Sequence, residues 1–254
     1  GFIPIVDTFA QFGVTKGNLP LTMAALSQSP VIAVFSHAGF QDAADGASHQ
    51  ATTYIAALSA IPHTTVIVCS CADQARALMH QAIRRHAEAR KKGEDGETVA
   101  FIVGRENFPV HYTENTSYEW GKPQVLKKGK DVVIVAAGPM VGKALDAAKL
   151  LEQQNVSATV LDNPFVNQPD VETIGAAVQT AGGRLITIED HQLISGMGSV
   201  LIHALTQKGV ALRARSLGIR GQFGQSAYVA NQLYDLHRLN AEAIVKAVKE
   251  ICAL

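Results

Sequence analysis

The chain lacks net charge: 22 Lys and Arg stand against 22 Asp and Glu in 254 residues. Without a field of one sign nothing gathers a polyanion over the whole surface, which argues against nucleic acid as a partner and leaves room only for a local basic pocket holding one phosphate. No apolar run approaches the roughly 20 residues that cross a bilayer, and the N-terminus shows neither the charged start nor the apolar centre of a signal peptide. A cytoplasmic protein with no membrane partner is expected. Cysteine is scarce and odd in number: Cys69 and Cys71 on one strand would point to opposite faces, a poor geometry for a bridge or a zinc site, and with Cys252 they read as ordinary buried thiols. What the chain has in quantity is apolar. With 47% hydrophobic and 17% charged residues disorder is excluded, and the length suffices for one large core or two modest ones.

Apolar runs of strand length alternate with helical patterns, the signature of parallel sheets with crossover helices. The first half reads as strands over 31–36, 65–70 and 99–103. Between the last two, Asp73 is expected to cap a long helix whose apolar positions Ala75, Leu78, Met79, Ile83 and Ala87 recur every three or four residues, ending in a charged turn at 90–96. Over 106–130 the periodicity fails and Pro109, Gly121, Pro123 and Gly129 appear, so the expected domains are 1–122 and 123–254. The second half restarts with strands over 131–137, 158–162, 184–189 and 211–217. Helices are expected over 140–153, 171–181 and 198–208, with a last amphipathic helix capped by Asn240. The fold class is α/β: two consecutive open, mainly parallel sheets with helices on both faces.

The segment from Phe35 to Gln50 is the most unusual. It leaves the carboxyl end of a buried strand, where open parallel sheets bind ligands, and carries His37, Asp45 and His49 towards a helix expected to be capped by Ser48. Two histidines and an aspartate there exchange protons near neutral pH or orient hydroxyl groups, and no third ligand stands at metal spacing. Arg105 directly follows the strand over 99–103, at the same sheet edge. From the residues alone, a grip on phosphate or carboxylate and a structural ion pair with Glu106 or a neighbour are equally open. Phe9 and Phe12, three apart, read by themselves as core. His191 closes the strand segment Thr187-Ile188-Glu189-Asp190-His191 and precedes Ser195-Gly196-Met197-Gly198-Ser199, which lacks a Walker lysine and a full dinucleotide fingerprint and reads as a tight turn.

Together these residues resemble a known pattern. Gly1-Phe2-Ile3-Pro4, Thr8-Phe9-Ala10-Gln11-Phe12, Met23-Ala24-Ala25-Leu26, the loop from His37 through Asp45-Gly46-Ala47-Ser48-His49-Gln50, Ile61-Pro62 and Arg105 resemble the pyrimidine-binding domain of transketolases. The second half, with Ile188-Glu189-Asp190-His191 and Gly196-Met197-Gly198, resembles the transketolase C-terminal domain, which 1-deoxyxylulose-5-phosphate synthases and the beta subunits of 2-oxo acid dehydrogenases share. The resemblance implies thiamine diphosphate chemistry, in which a two-carbon ketol unit passes from a ketose or its phosphate to an aldose or its phosphate. It also implies roles: Phe9 stacks on the aminopyrimidine ring and Phe12 walls its pocket, His37 and His49 bind and exchange protons with sugar oxygens, Asp45 hydrogen-bonds a substrate hydroxyl, and Arg105 grips the sugar phosphate.

The sequence departs from the family pattern at Ala44, where Glu precedes Asp-Gly, at Asp7, where a small residue precedes Thr-Phe, and over 13–20. The family's diphosphate-binding half, with its Gly-Asp-Gly metal motif, has no counterpart in the sequence. The resemblance therefore implies a pyrimidine domain lacking its first strand and helix, and magnesium or calcium on a partner and not on this chain. It further implies a homodimer, an N-terminal diphosphate-binding subunit or domain as partner, and no activity for the chain alone. The alternatives are a relative from the synthase or dehydrogenase branches and a non-catalytic assembly module of the same fold.

Overall fold

The computed structural model describes residues 2–113 and 116–253; Gly1, at the head of the first quoted run, lies outside them. Strands β1 (Ile5–Phe9), β2 (Ile32–Ser36), β3 (Thr64–Val68) and β4 (Thr98–Ile102) pair in parallel in the order β1-β2-β4-β3. Strands β5 (Gln124–Lys127), β6 (Val132–Ala136), β7 (Ala158–Asp162), β8 (Arg184–Gln192) and β9 (Arg213–Ile219) form a second sheet in the order β5-β7-β6-β8-β9, parallel except for β5. This is the expected α/β architecture. The inner strands are apolar throughout, as in Val132-Val133-Ile134-Val135-Ala136, because helices cover both faces of a parallel sheet.

Helices α1 (Ala10–Lys16), α2 (Asn18–Leu26) and α3 (Tyr54–Ser59) cover one face of the first sheet, and α4 (Ala72–Lys92) covers the other. In the second half, α6 (Val171–Thr180) and α7 (Met197–Gln207) lie on one face, whereas α5 (Met140–Glu152), α8 (Ala230–Leu236) and α9 (Ala241–Cys252) lie on the other. One continuous core cluster joins α1 and α3 through Val66, Val68, Val133 and Val135 to α6 and α7, so the two sheets share buried side chains. The edge of β3 is covered from the second half: Val68 N–H donates to the Pro164 carbonyl at 2.9 Å, and Val166 N–H donates to the Val66 carbonyl at 3.2 Å.

Three local expectations need correction. The cap of α4 is the Cys71 sulfur, 3.5 Å from the Gln74 N–H, and Asp73 lies in the first turn, paired with Arg76. Ser48 caps no helix: residues beyond the single 3-10 turn Gly39–Gln41 stay in turns until α3 begins after Thr53. Cys69 and Cys71 lie past the end of β3 and are buried, while Cys252 is only half-buried. The other end of α4 is as read, with Gly93 at φ 68° accepting the left-handed turn that stops the helix.

Candidate active site

The residue after β2 turns the chain out of the sheet with its backbone in the left-handed region: His37 has φ 59°, a conformation that costs a non-glycine residue on the order of 1 kcal/mol. That turn lays the imidazole flat on Phe9, ring centroids 3.8 Å and planes 16° apart, with Nδ1 2.7 Å from the Ser36 hydroxyl. Phe9 and Ser36 are register partners in parallel strands, which is why both side chains reach the same end of the sheet. The first turn of α1 then brings Phe12 to 6.0 Å from Phe9 and edge-on to His49 at 5.3 Å, and His49 Nδ1 lies 3.0 Å from the Ser48 hydroxyl. Four of the six residues singled out from the sequence thus form one cluster, and it is partly open to solvent.

The other two, Asp45 and Arg105, meet at 3.5 Å. The tighter partner of Arg105 is one that the sequence reading passed over: its Nη1 lies 2.6 Å from Oδ1 of Asp42, whose side chain is fully buried. No pair forms with Glu106, whose Oε1 accepts the Ala230 N–H at 2.6 Å. The signal for Asp42 was a charge set among Phe40, Ala43 and Ala44, because a carboxylate buried in apolar surroundings needs a cation.

Beneath this loop the end of β8 supplies its support. Gly39 has φ 61°, and a Cβ on it would run into the Asp190 carboxylate, so glycine alone lets the Phe40 N–H reach Asp190 Oδ2 at 3.0 Å. The Tyr234 hydroxyl donates to the same oxygen at 2.7 Å, Gln41 Nε2 donates to the Tyr234 oxygen at 2.7 Å, and the Glu106 N–H donates to Gln41 Oε1 at 3.0 Å. Burial pushes the Asp190 carboxyl up to about 7 despite its donors. His191 is buried with Nδ1 2.7 Å from the Gln192 carbonyl and Nε2 3.3 Å from the Ala56 N–H, and burial pulls it down to about 4. Glu189 accepts from the N–H groups of Met197 and Gly198 at 2.5 and 2.9 Å. The glycine-rich turn is therefore a tight turn whose amides already hold a carboxylate, one that burial pushes up to about 8.

The half-buried Phe9, with His37 stacked on one of its faces, and the exposed Phe12 are the side chains at this strand-end crevice whose chemistry suits a flat aromatic cofactor ring. Among the described residues no group of three or more His, Cys, Asp and Glu is placed to hold a metal ion, and no helix is long and apolar enough to cross a membrane.

Residues 1–91 match the transketolase pyrimidine binding domain, and residues 121–244 match the transketolase C-terminal domain. Transketolase-like protein 2 of Homo sapiens is 31% identical over 239 residues, covering 88% of this chain and 36% of that protein. A putative transketolase C-terminal section of Methanocaldococcus jannaschii is 27% identical over 252 residues, covering 98% of this chain and 75% of the relative. The chain thus spans little more than a third of the human relative but most of the archaeal one. A solved structure described as a split gene transketolase, inactive beta4 tetramer, superposes with a TM-score of 0.82 at 30% identity, over 100% of this chain and 78% of that one. Matched in both halves by transketolase domains and along its whole length by a split-gene relative, this chain belongs to the transketolase family.

Proposed function

We propose that the chain is the C-terminal part of a transketolase-type transferase that moves a two-carbon ketol unit from a ketose to an aldose. The observation that carries the reading is the cluster Phe9, His37, Phe12 and His49 at the carboxyl ends of β1 and β2, on a chain of this family. Thiamine diphosphate, when bound, supplies the nucleophilic carbon that takes up the ketol unit. Phe9 offers the face on which the aminopyrimidine stacks, and Phe12 closes the side of that pocket. His37 and His49, steadied by Ser36 and Ser48, hold and pass protons at the sugar oxygens beside the breaking bond. Asp45 and Arg105 hold the far end of the sugar.

The division into a pyrimidine-binding unit over 1–122 and a C-terminal unit over 123–254 belongs to the same reading. A diphosphate-binding subunit completes the site and brings the magnesium or calcium ion. Phe2 at 93% exposure, Ile5, Val6, Leu19 and Leu26 at 74% leave an apolar face at β1 and α2, which suits packing against that subunit and a second copy of this chain. Free, buried Cys69 and Cys71 suit the reducing cytoplasm.

The test is to mix this chain with an N-terminal transketolase section, thiamine diphosphate and magnesium and to assay ketol transfer. Turnover is expected from the mixture and none from the chain alone, with His49→Ala lowering kcat by about 100-fold or more. A mixture inactive on every ketose, or an unimpaired His49→Ala, removes the reading.

A further inference from the structure

Arg105, at the substrate end of the site, is already engaged by protein. Its Nη1 touches Oδ1 of Asp42 at 2.6 Å and lies 3.5 Å from Oδ2 of Asp45. Asp42 is fully buried, whereas the Arg105 side chain is 45% exposed. Among the described residues Arg105 is the only side chain that pairs with the Asp42 carboxylate, and Asp42 Oδ2 has no partner at all. Withdrawing the single cation from a buried carboxylate carries a heavy electrostatic penalty, so Nη1 stays on Asp42 and a phosphate meets only the Nε and Nη2 edge of a guanidinium whose charge the two carboxylates already balance. One guanidinium between two carboxylates also leaves one formal negative charge, and a phosphate monoester, itself about −1.5 to −2 at neutral pH, meets repulsion there. The neighbouring Glu106, whose Oε1 accepts the Ala230 N–H at 2.6 Å, brings a further anion and no cation.

Resting on the transferase reading, we infer that the far end of the sugar enters this site as a neutral polyol and not as a phosphate ester, and that Asp42 is the residue that sets this specificity. Arg105 Nε and Nη2 have no hydrogen-bond partner among the described residues and suit hydroxyl oxygens as acceptors. Asp45, half-exposed, accepts a hydrogen bond from a hydroxyl. Asp42 touches no substrate; it fixes and neutralises the guanidinium that does. The resemblance to transketolases implies a phosphate-gripping arginine at this position, and the buried carboxylate beneath it is what turns this site away from phosphate.

The full chain is titrated with ribose 5-phosphate and, separately, with ribose, following the Arg105 Nε–Hε NMR signal, assigned as the one lost in Arg105→Lys. The wild-type signal is expected to show no saturable response specific to the phosphate ester. Asp42→Asn, or Asp42→Leu if the first variant does not fold, is expected to gain saturable ribose 5-phosphate binding on the order of tenfold tighter than any response of the wild type. A saturable phosphate-specific response at wild-type Arg105 overturns the inference without any variant, and so does a folded variant that gains nothing. In the reconstituted transferase, kcat/KM is expected to favour ribose over ribose 5-phosphate as acceptor, and Asp42→Asn to reverse the order. A wild-type enzyme that prefers the phosphate removes this inference and leaves the transferase reading standing, whereas absence of transfer from any donor removes that reading and leaves the titration result intact.

Discussion

A neutral imidazole has one donor and one acceptor, and His191 uses both: Nδ1–H donates to the Gln192 carbonyl and Nε2 accepts from the Ala56 N–H. Burial holds the group down at about 4 against an ordinary value of 6.5, although hydrogen bonds to the Gln192 and Thr53 backbone favour the charged form. The unfolded chain therefore takes up a proton near pH 6.5 that the folded chain refuses, and stability present above that pH is lost as the pH falls towards 4. At pH 5 this one residue should cost about 2 kcal/mol. Urea unfolding of the wild type and His191→Gln at pH 7.5 and pH 5 reads it: the wild type should lose about 2 kcal/mol more over that interval, and equal losses would mean that His191 is protonated in the fold. Gly39 makes a second residue-scale case. Gly39→Ala sets a Cβ against Asp190 at φ 61° and should cost about 1–3 kcal/mol in the same assay; an unchanged midpoint would show that the loop moves aside freely.

Elements with a local cause were legible in the sequence. Strands β2, β3, β4, β6 and β7 and the first part of β8 are mostly apolar runs bounded by turn residues, β9 alternates polar and apolar residues before a buried end, and α4 and α9 repeat their apolar positions at helical spacing. Asn240 caps α9 as expected, its Oδ1 3.1 Å from the Ala243 N–H. Asn240→Ala should therefore lower the urea midpoint by an amount equivalent to about 1 kcal/mol, whereas no loss would mean that water replaces the cap. The elements that escaped have weaker patterns. In β1, Asp7 and Thr8 interrupt the apolar run because this edge strand buries almost nothing, β5 is only 4 residues long and antiparallel, and α8 has 7 residues. The site was legible in the same measure. His37, Asp45 and His49 stand in one strand-end loop and Arg105 follows a strand, but the partner that decides what Arg105 can hold is 63 residues away in sequence, and no local pattern marks that pairing.

At the scale of the whole molecule the two sheets are bound by buried polar contacts as well as by their shared core. Phe40 and Gln41 of the first half meet Asp190 and Tyr234 of the second, and the Gln192 N–H donates to the Thr52 carbonyl at 2.9 Å. Each group left unpaired by separation of the halves would be a desolvated donor or acceptor, so the halves should unfold together. The single tryptophan reports on this, because Trp120 packs edge-on against Phe165 at 5.3 Å, beneath the Arg85 guanidinium, where the segment after β7 meets the first sheet. Fluorescence and far-UV circular dichroism should trace one transition, and two separated midpoints would mean that the halves are independent. The same contact carries a pH dependence opposite in sign to that of His191. Burial raises Asp190 from an ordinary 3.8 to about 7, so the folded chain keeps a proton that the unfolded chain has released. The stabilisation is complete below pH 4 and is lost as the pH rises through 7. Between pH 5.5 and 8.5 the wild type should lose stability on the order of 1–2 kcal/mol relative to Asp190→Asn, whose neutral amide still accepts from Phe40 N–H and the Tyr234 hydroxyl. Parallel pH profiles for the two proteins would show that Asp190 is ionised throughout and that the contact between the halves is an anion held by two donors, the Phe40 N–H and the Tyr234 hydroxyl.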